Sequence, residues 1–199
     1  MIKNIGFAIT GSFCTHEKIL DCIKNLKAKG YNIHPIVTNK VKLTDTRFGK
    51  AKDFIINLET ICENKVIDNI TSAEPLGPKG IIDALVVAPC TGNTISKLAN
   101  AITDNAVTMT AKALMRNNKP VIIGISTNDA LGLNAKNIAQ LLNCKGIYFI
   151  PFMQDDFINK PKSLVANFDL IEETLINAEN NNQIQPMILS NQANNKCSN

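Results

Sequence analysis

Four segments of strand length, residues 5–10, 32–38, 81–88 and 120–125, are each followed by a stretch whose apolar residues recur at helical spacing. That alternation constrains the fold more than any other feature of the chain. After the first strand Ile19, Leu20, Ile23 and Leu26 repeat until Gly30 stops them. After the second come Ala51, Phe54, Ile55, Leu58, Ile61 and Cys62, with a short strand expected near 66–70. The third leads into two helical segments, 94–101 and 105–117, and the fourth into a helix at 135–142, a strand at 147–149 and a last helix over 163–178. Strands separated by helices pair in parallel, so an α/β fold is expected: a three-layer sandwich around a doubly wound, mainly parallel sheet. With 199 residues, 45% of them hydrophobic, the chain supports one core and one domain, expected at 1–178. The Asn- and Gln-rich stretch 179–199, apart from Met187-Ile188-Leu189, lacks the apolar density to repay ordering and is expected to be disordered.

A net charge of +4 spread over dispersed lysines, with no Trp and two Tyr, offers neither the basic stripe nor the stacking platform of a nucleic-acid binder. The apolar runs fall far short of the ~20 residues a membrane helix needs, and Met1-Ile2-Lys3 leads straight into a strand without a signal-peptide pattern, so a cytoplasmic protein is expected. Six scattered cysteines with no C-x-x-C pair suit reduced thiols rather than a metal site or disulfide framework.

The third strand runs into Pro89-Cys90-Thr91-Gly92-Asn93-Thr94, ahead of Ile95, Leu98, Ala99 and Ile102 at helical spacing. Ligands of parallel sheets gather at that end of the strands. Thr91, Asn93 and Thr94 put two hydroxyls and an amide beside a helix N-terminus, and Gly92 is expected to admit a ligand close to the backbone; the same residues also suit a plain capped connection. The first turn, Thr10-Gly11-Ser12-Phe13-Cys14-Thr15, has one glycine rather than the three of a dinucleotide fingerprint, which favours a mononucleotide's phosphate, with helix capping by Ser12 or Thr15 as the alternative. The two turns become neighbours if the strand order reverses between the halves of the sheet. Thr38-Asn39 would then form a third wall and Thr103-Asp104-Asn105 a fourth, Asp104 being equally suited to cap the next helix. His16 stands within reach of a ligand but has no carboxylate partner in sequence and otherwise reads as a solvated first-turn residue. His34, before Pro35, reads as an edge residue, and Cys90 as a small buried one. The polar, Pro-punctuated segment 151–163 has the character of a lid.

Taken together, 8–15, Val37-Thr38, 89–94, 104–108 and the late run from Pro151-Phe152 through Gln154-Asp155-Asp156 to Lys160-Pro161-Lys162-Ser163-Leu164-Val165-Ala166 resemble the flavoprotein superfamily of flavin-containing cysteine decarboxylases and flavin prenyltransferases. The resemblance covers about residues 1–178 and implies a Rossmann-like fold that binds flavin mononucleotide (FMN). By position, Gly11, Ser12 and Thr38 would hold the phosphate and ribityl chain, and Pro89, Thr91, Asn93 and Thr94 would face the isoalloxazine; Asp104 and Asn105 match the motif beyond it. The late run is similar to a branch whose members work with a separate A subunit, which carries NAD(P), in the cytoplasm of a sporulating mother cell. The chemistry implied there is the two-electron oxidation of a dihydropyridine dicarboxylate to an aromatic one. For such a dicarboxylate the cationic candidates are Arg47, Lys50, Lys160 and Lys162. The resemblance also implies a homo-oligomer, in which a neighbouring copy completes the flavin wall; it identifies no catalytic residue and no metal ligand. Two departures bear on the activity. The chain has no glycine-rich, cysteine-bearing lid of the cysteine decarboxylases, and the strand ending Gly124-Ile125-Ser126-Thr127 lacks the Arg-Glu pair of a prenyltransferase. A stand-alone decarboxylase or prenyltransferase, or a non-catalytic mononucleotide-binding module, are therefore the alternatives.

Overall fold

The computed structural model, which describes residues 1–190, has the element order β1 (Asn4–Ile9), α1 (His16–Ala28), β2 (Asn32–Val37), α2 (Asn39–Leu43), α3 (Ala51–Cys62), α4 (Ile70–Ala73), β3 (Ala84–Cys90), α5 (Gly92–Ala99), α6 (Ala106–Arg116), β4 (Val121–Thr127), α7 (Ala135–Leu142), β5 (Ile147–Phe149), β6 (Phe152–Met153), β7 (Leu164–Ala166) and α8 (Ile171–Glu179). The strand order is β2-β1-β3-β4-β7-β6, with β5 also paired to β4. β2, β1, β3, β4 and β5 run parallel, while β7 pairs antiparallel with both β4 and β6.

All seven residues of β3 are buried, as are five of six in β1, which requires cover on both faces of the sheet. α3, α1 and α8 form one helical group, with α1 reaching α8 through the turn Phe168–Leu170; α4, α6, α5 and α7 form the other. The doubly wound three-layer sandwich expected from the sequence is the observed architecture. The edge strand β2 carries His34 and tolerates Pro35, and its outer side is met by a single bridge to Ile67, where a whole short strand was expected.

Two expectations need correction. The last helix does not begin at 163: Leu164–Ala166 is a strand, and the helix starts at Ile171. β4 is longer than β5, so its last residues Ser126 and Thr127 are left for β7 to pair with, opposite Val165 and Leu164. The segment 154–163 is thus the loop of a β6–β7 hairpin anchored at the carboxyl end of β4, not a free connection to a helix.

The domain also does not end at 178. Beyond α8 the chain returns across the open edge of β5, where the Gln183 side chain imitates a strand. Its Oε1 accepts from Phe149 N and its Nε2 donates to Phe149 O, both at 2.7 Å. Phe152 N then donates to Met187 O and Leu189 N to Phe152 O, and Ile184 is buried. Residues 180–190 are therefore part of the packed domain, whereas the expectation for 191–199 lies outside the described residues. Replacing Gln183 by Ala strands a backbone donor and acceptor in a half-buried position. A loss of about 1–3 kcal/mol in urea unfolding, with faster proteolysis between 180 and 190, is the expected result.

Candidate functional site

Because β1 lies between β2 and β3, the sheet grows in opposite directions on its two sides, and the crevice beyond the carboxyl ends of β1 and β3 is the topological switch point. Thr10, buried at the end of β1, spans that crevice. Its hydroxyl donates to Pro89 O at 2.7 Å and accepts from Thr91 N at 3.0 Å, so the two turns that the sequence sets apart by some eighty residues are stitched together by one side chain. Ser12 Oγ lies 2.7 Å from Ser126 Oγ, which brings in the end of β4. Thr38 N donates to Ile9 O at 3.3 Å and the Thr38 side chain caps α2. Gly11, Ser12, Thr38 and the 89–94 turn thus share one end of the sheet, as the sequence suggested. Asn93 is exposed and its amide finds no partner among the described residues; Pro89 and Thr94 are buried, with Thr94 Oγ1 3.3 Å from Thr91 Oγ1.

Asn105 is differently employed. It caps α6, its Oδ1 accepting from Thr108 N at 3.1 Å, while Asp104 is held by Lys97. The Lys97 ammonium keeps the Asp104 carboxyl below the usual carboxylate range. Cys90 is fully buried, and desolvation pushes its thiol far up, so it is a core residue rather than a nucleophile.

Sequence reasoning passed over the loop after β4. Asp129 accepts from Thr127 Oγ1 and from Asn134 Nδ2, each at 2.6 Å, and buried Asn134 accepts from buried Asn137 at 2.8 Å. Gln140 donates at 2.6 Å to the carbonyl O of Ala99, the last residue of α5, and Asn137 Oδ1 accepts from its C-cap Asn100 at 3.5 Å, so amides at 134, 137 and 140 line the side of α7 that meets α5. The spacing of three along one helix face was the available signal.

This loop also corrects the reading of Gly92. A Cβ there would stand 2.6 Å from both Asn134 Nδ2 and Asp129 Oδ1, and 2.8 Å from Thr127 Oγ1. The protein's own packing is enough to require glycine at 92, so this glycine by itself is no sign of a ligand. Gly11 is the reverse case. Of the ten glycines, the other nine have either a positive φ or a protein atom within 3.3 Å of the missing Cβ. At Gly11 the nearest atoms are Lys40 Cδ at 3.6 Å and Phe13 Cε2 at 3.8 Å, ordinary contacts that would accept a methyl group. The amides of Gly11 and Ser12 donate to no acceptor among the described residues, although Gly11 O and Ser12 O are both bonded.

His16 is neither solvated nor aimed at the crevice. It is 7% exposed, its ring stacks on Phe54 at 4.6 Å, and Nε2 lies 2.9 Å from Thr10 O. A carbonyl only accepts, so Nε2 carries the proton. Burial holds the imidazolium pKa below 6.5, the carbonyl contact opposing it in part. A cavity of about 420 Å³ opens beside this histidine, lined by Phe13, Glu17, Phe48, Lys50, Asp53 and Phe54 among others. Of the cationic candidates, Lys50 lines this cavity and Arg47 stacks on Phe48, its Cζ 4.9 Å from the ring centroid. Lys160 faces Asp155 at 3.9 Å, and Lys162 O accepts from Leu131 N. The contacts of Arg47 and Lys50 thus lie around Phe48 and the cavity, and those of Lys160 and Lys162 at Asp155 and Leu131.

Two outcomes follow from this geometry. Gly92→Ala forces apart the Asp129–Asn134 contact and is expected to cost about 1–3 kcal/mol, whereas Gly11→Ala leaves the unfolding midpoint of the ligand-free protein within error; equal losses in denaturant melts would contradict the distinction. For His16, the unfolded chain takes up a proton that the folded chain refuses, so stability is full above the unfolded pKa near 6.5 and falls as pH drops below it. His16→Gln should flatten that slope in urea midpoints measured from about pH 7 to 5.

Against known proteins, the model of the Flavoprotein family matches residues 1–191. The dipicolinate synthase B subunit of Bacillus subtilis is 50% identical over 189 residues, 95% of this chain and 94% of that protein. The crystal structure of the dipicolinate synthase B subunit from Bacillus halodurans superposes with a TM-score of 0.87 at 47% identity, covering 94% of this chain and 96% of that one. An FMN-dependent cysteine decarboxylase shares the fold, with a TM-score of 0.66 at 18% identity over 89% of this chain and 97% of that one. The chain belongs to the Flavoprotein family, in the branch of the dipicolinate synthase B subunit.

Proposed function

We propose that the chain is the B subunit of a dipicolinate synthase, that it binds FMN in the switch-point crevice, and that with a separate A subunit it forms pyridine-2,6-dicarboxylate from a dihydrodipicolinate-type intermediate. The half-identity to a protein of that name over nearly the full length of both supports the reaction. The observation that carries the ligand is Gly11, the one glycine for which the protein's own atoms give no reason, flanked by two amides without acceptors. A ligand that packs against the turn and accepts hydrogen bonds accounts for both, and a phosphate fits that description.

In this reading Gly11, Ser12 and Thr38 hold the phosphate and ribityl chain. Thr91 and the free Asn93 amide serve the ring, with buried Pro89 and Thr94 backing them. Asn105, which caps α6, contributes by fixing that helix. The oxidation removes two electrons and two protons from the substrate. A bound flavin supplies an acceptor for the electrons, as would a nicotinamide, NAD(P), held on the A subunit. The substrate's carboxylates need cations, for which Arg47, Lys50, Lys160 and Lys162 are the candidates. In a homo-oligomer, Arg47 and Lys50 of one copy set beside Lys160 and Lys162 of a neighbour complete the binding wall. The setting proposed is the mother-cell cytoplasm of a sporulating bacterium; no described helix is long and apolar enough to cross a membrane.

Reconstitution with the dihydro intermediate and the A subunit should give the absorbance of a pyridine dicarboxylate. Equal product in the absence of this chain would remove it from the reaction. Lys160→Ala with Lys162→Ala is expected to raise the KM for the substrate severalfold while FMN affinity stays unchanged; unchanged kinetics would exclude the late loop.

A further inference from the structure

The residue that covers Gly11 is not among those that sequence or kinship points to. Lys40 lies in α2, directly after the Thr38 cap, and its Cδ is the atom nearest to the absent Gly11 side chain, at 3.6 Å. It is exposed and pairs with no carboxylate among the described residues. The contrast with its neighbour is informative: Lys42, two residues further from the turn, is tied to Asp68, which lowers that carboxyl's pKa. Lys40 is thus a cation on a flexible stem, with no counter-ion among the described residues, resting over a turn that has both unclaimed amides and unexplained room. A lysine stem packed on a turn with two free donor amides puts a cation within reach of any anion those amides hold.

We infer that Lys40 is the residue that selects a phosphorylated ligand at this turn, its stem swinging from Gly11 so that the ammonium meets a phosphate held by the Gly11 and Ser12 amides. The inference rests on the flavin reading above and adds to it a source of specificity: the site should tell FMN from riboflavin chiefly through Lys40. A lysine acts here as a point charge, so arginine should substitute for it and an isosteric neutral chain should not.

The test is titration of the full chain with FMN and with riboflavin, followed by flavin fluorescence, for wild type, Lys40→Met and Lys40→Arg. Lys40→Met should weaken FMN about tenfold, equivalent to ~1.4 kcal/mol, leave riboflavin unchanged, and reduce the salt dependence of FMN binding; Lys40→Arg should restore most of the affinity. Equal weakening of both flavins, or none of either, overturns the role given to Lys40. If the wild type binds neither flavin, the flavin reading fails. Titration with inorganic phosphate, followed by the amide chemical shifts of Gly11 and Ser12, then still decides the matter: shifts lost in Lys40→Met and kept in Lys40→Arg support the inference, and shifts indifferent to Lys40 overturn it.

Discussion

The Thr10 hydroxyl is the interaction on which the candidate site depends. A hydroxyl has one proton to give and lone pairs to receive, and Thr10 uses both, giving to Pro89 O and receiving from Thr91 N. These bonds link the first turn to the turn after β3 through a single side chain. The register of β3 against β4 shifts between Val87 and Cys90, so the strand end is released from the regular ladder just where Thr10 takes hold of it. The parallel sheet brings the strand ends side by side, but this side chain fixes the height of one turn relative to the other. His16 then fixes Thr10 in turn, through Thr10 O, from within a stack of Phe13 and Phe54. Core packing of α1 on α3 is in this way transmitted to a polar crevice.

A second layer of support is polar throughout. α5 carries Asn93 and Thr94; Gln140 bonds its last residue at Ala99 O, while Asp129, Asn134 and Asn137, bonded to one another, pack around Gly92 at its start. Buried amides are costly unless every bond is met, and no buried side-chain donor or acceptor is left unpaired among the described residues. Such a network tolerates one arrangement only. Asp129 also brings a carboxylate up against the N-terminal residue of α5, where the helix dipole favours negative charge. That carboxylate is itself held by Thr127 and Asn134, so it belongs to the framework that fixes the start of α5.

How far the sequence discloses this depends on the range of the interactions. The parallel core was legible because the central strands are buried on both faces, and continuous apolar runs record that directly: β3 overlaps 81–88 but starts three residues later, β4 starts one residue after 120 and runs two past 125, and α7 and β5 match their expected bounds. The pairing of the two turns was legible too, since it follows from the strand order. What escaped is set by distant partners. Leu164-Val165-Ala166 behind Ser163 has the look of a capped helix start, and only the overhang of β4, some forty residues earlier, makes it a strand. Gln183 sits in a polar stretch that composition marks as unfolded, yet its amide, matched to the Phe149 backbone at the edge of β5, brings the chain back together with the bonds of Met187 and Leu189 to Phe152. Neither fact is local, so neither leaves a local pattern.

Glycine shows the same limit at the level of one atom. In the sequence Gly11 and Gly92 are alike, each in a hydroxyl-rich turn at the end of a parallel strand, and each suggests close approach of a ligand. The structure separates them by what a Cβ would strike: at Gly92 the protein's own carboxylate and amide, at Gly11 only the stem of a lysine and the edge of a phenyl ring, both at ordinary contact distance. A glycine required by packing says nothing about ligands, because the protein alone explains it. A glycine that packing does not require, beside amides with no acceptor among the described residues, is the observation on which the proposed anion rests. In a fold that serves several chemistries, that observation is better evidence for an anion at the first turn than the turn's composition, which helix capping would explain equally well.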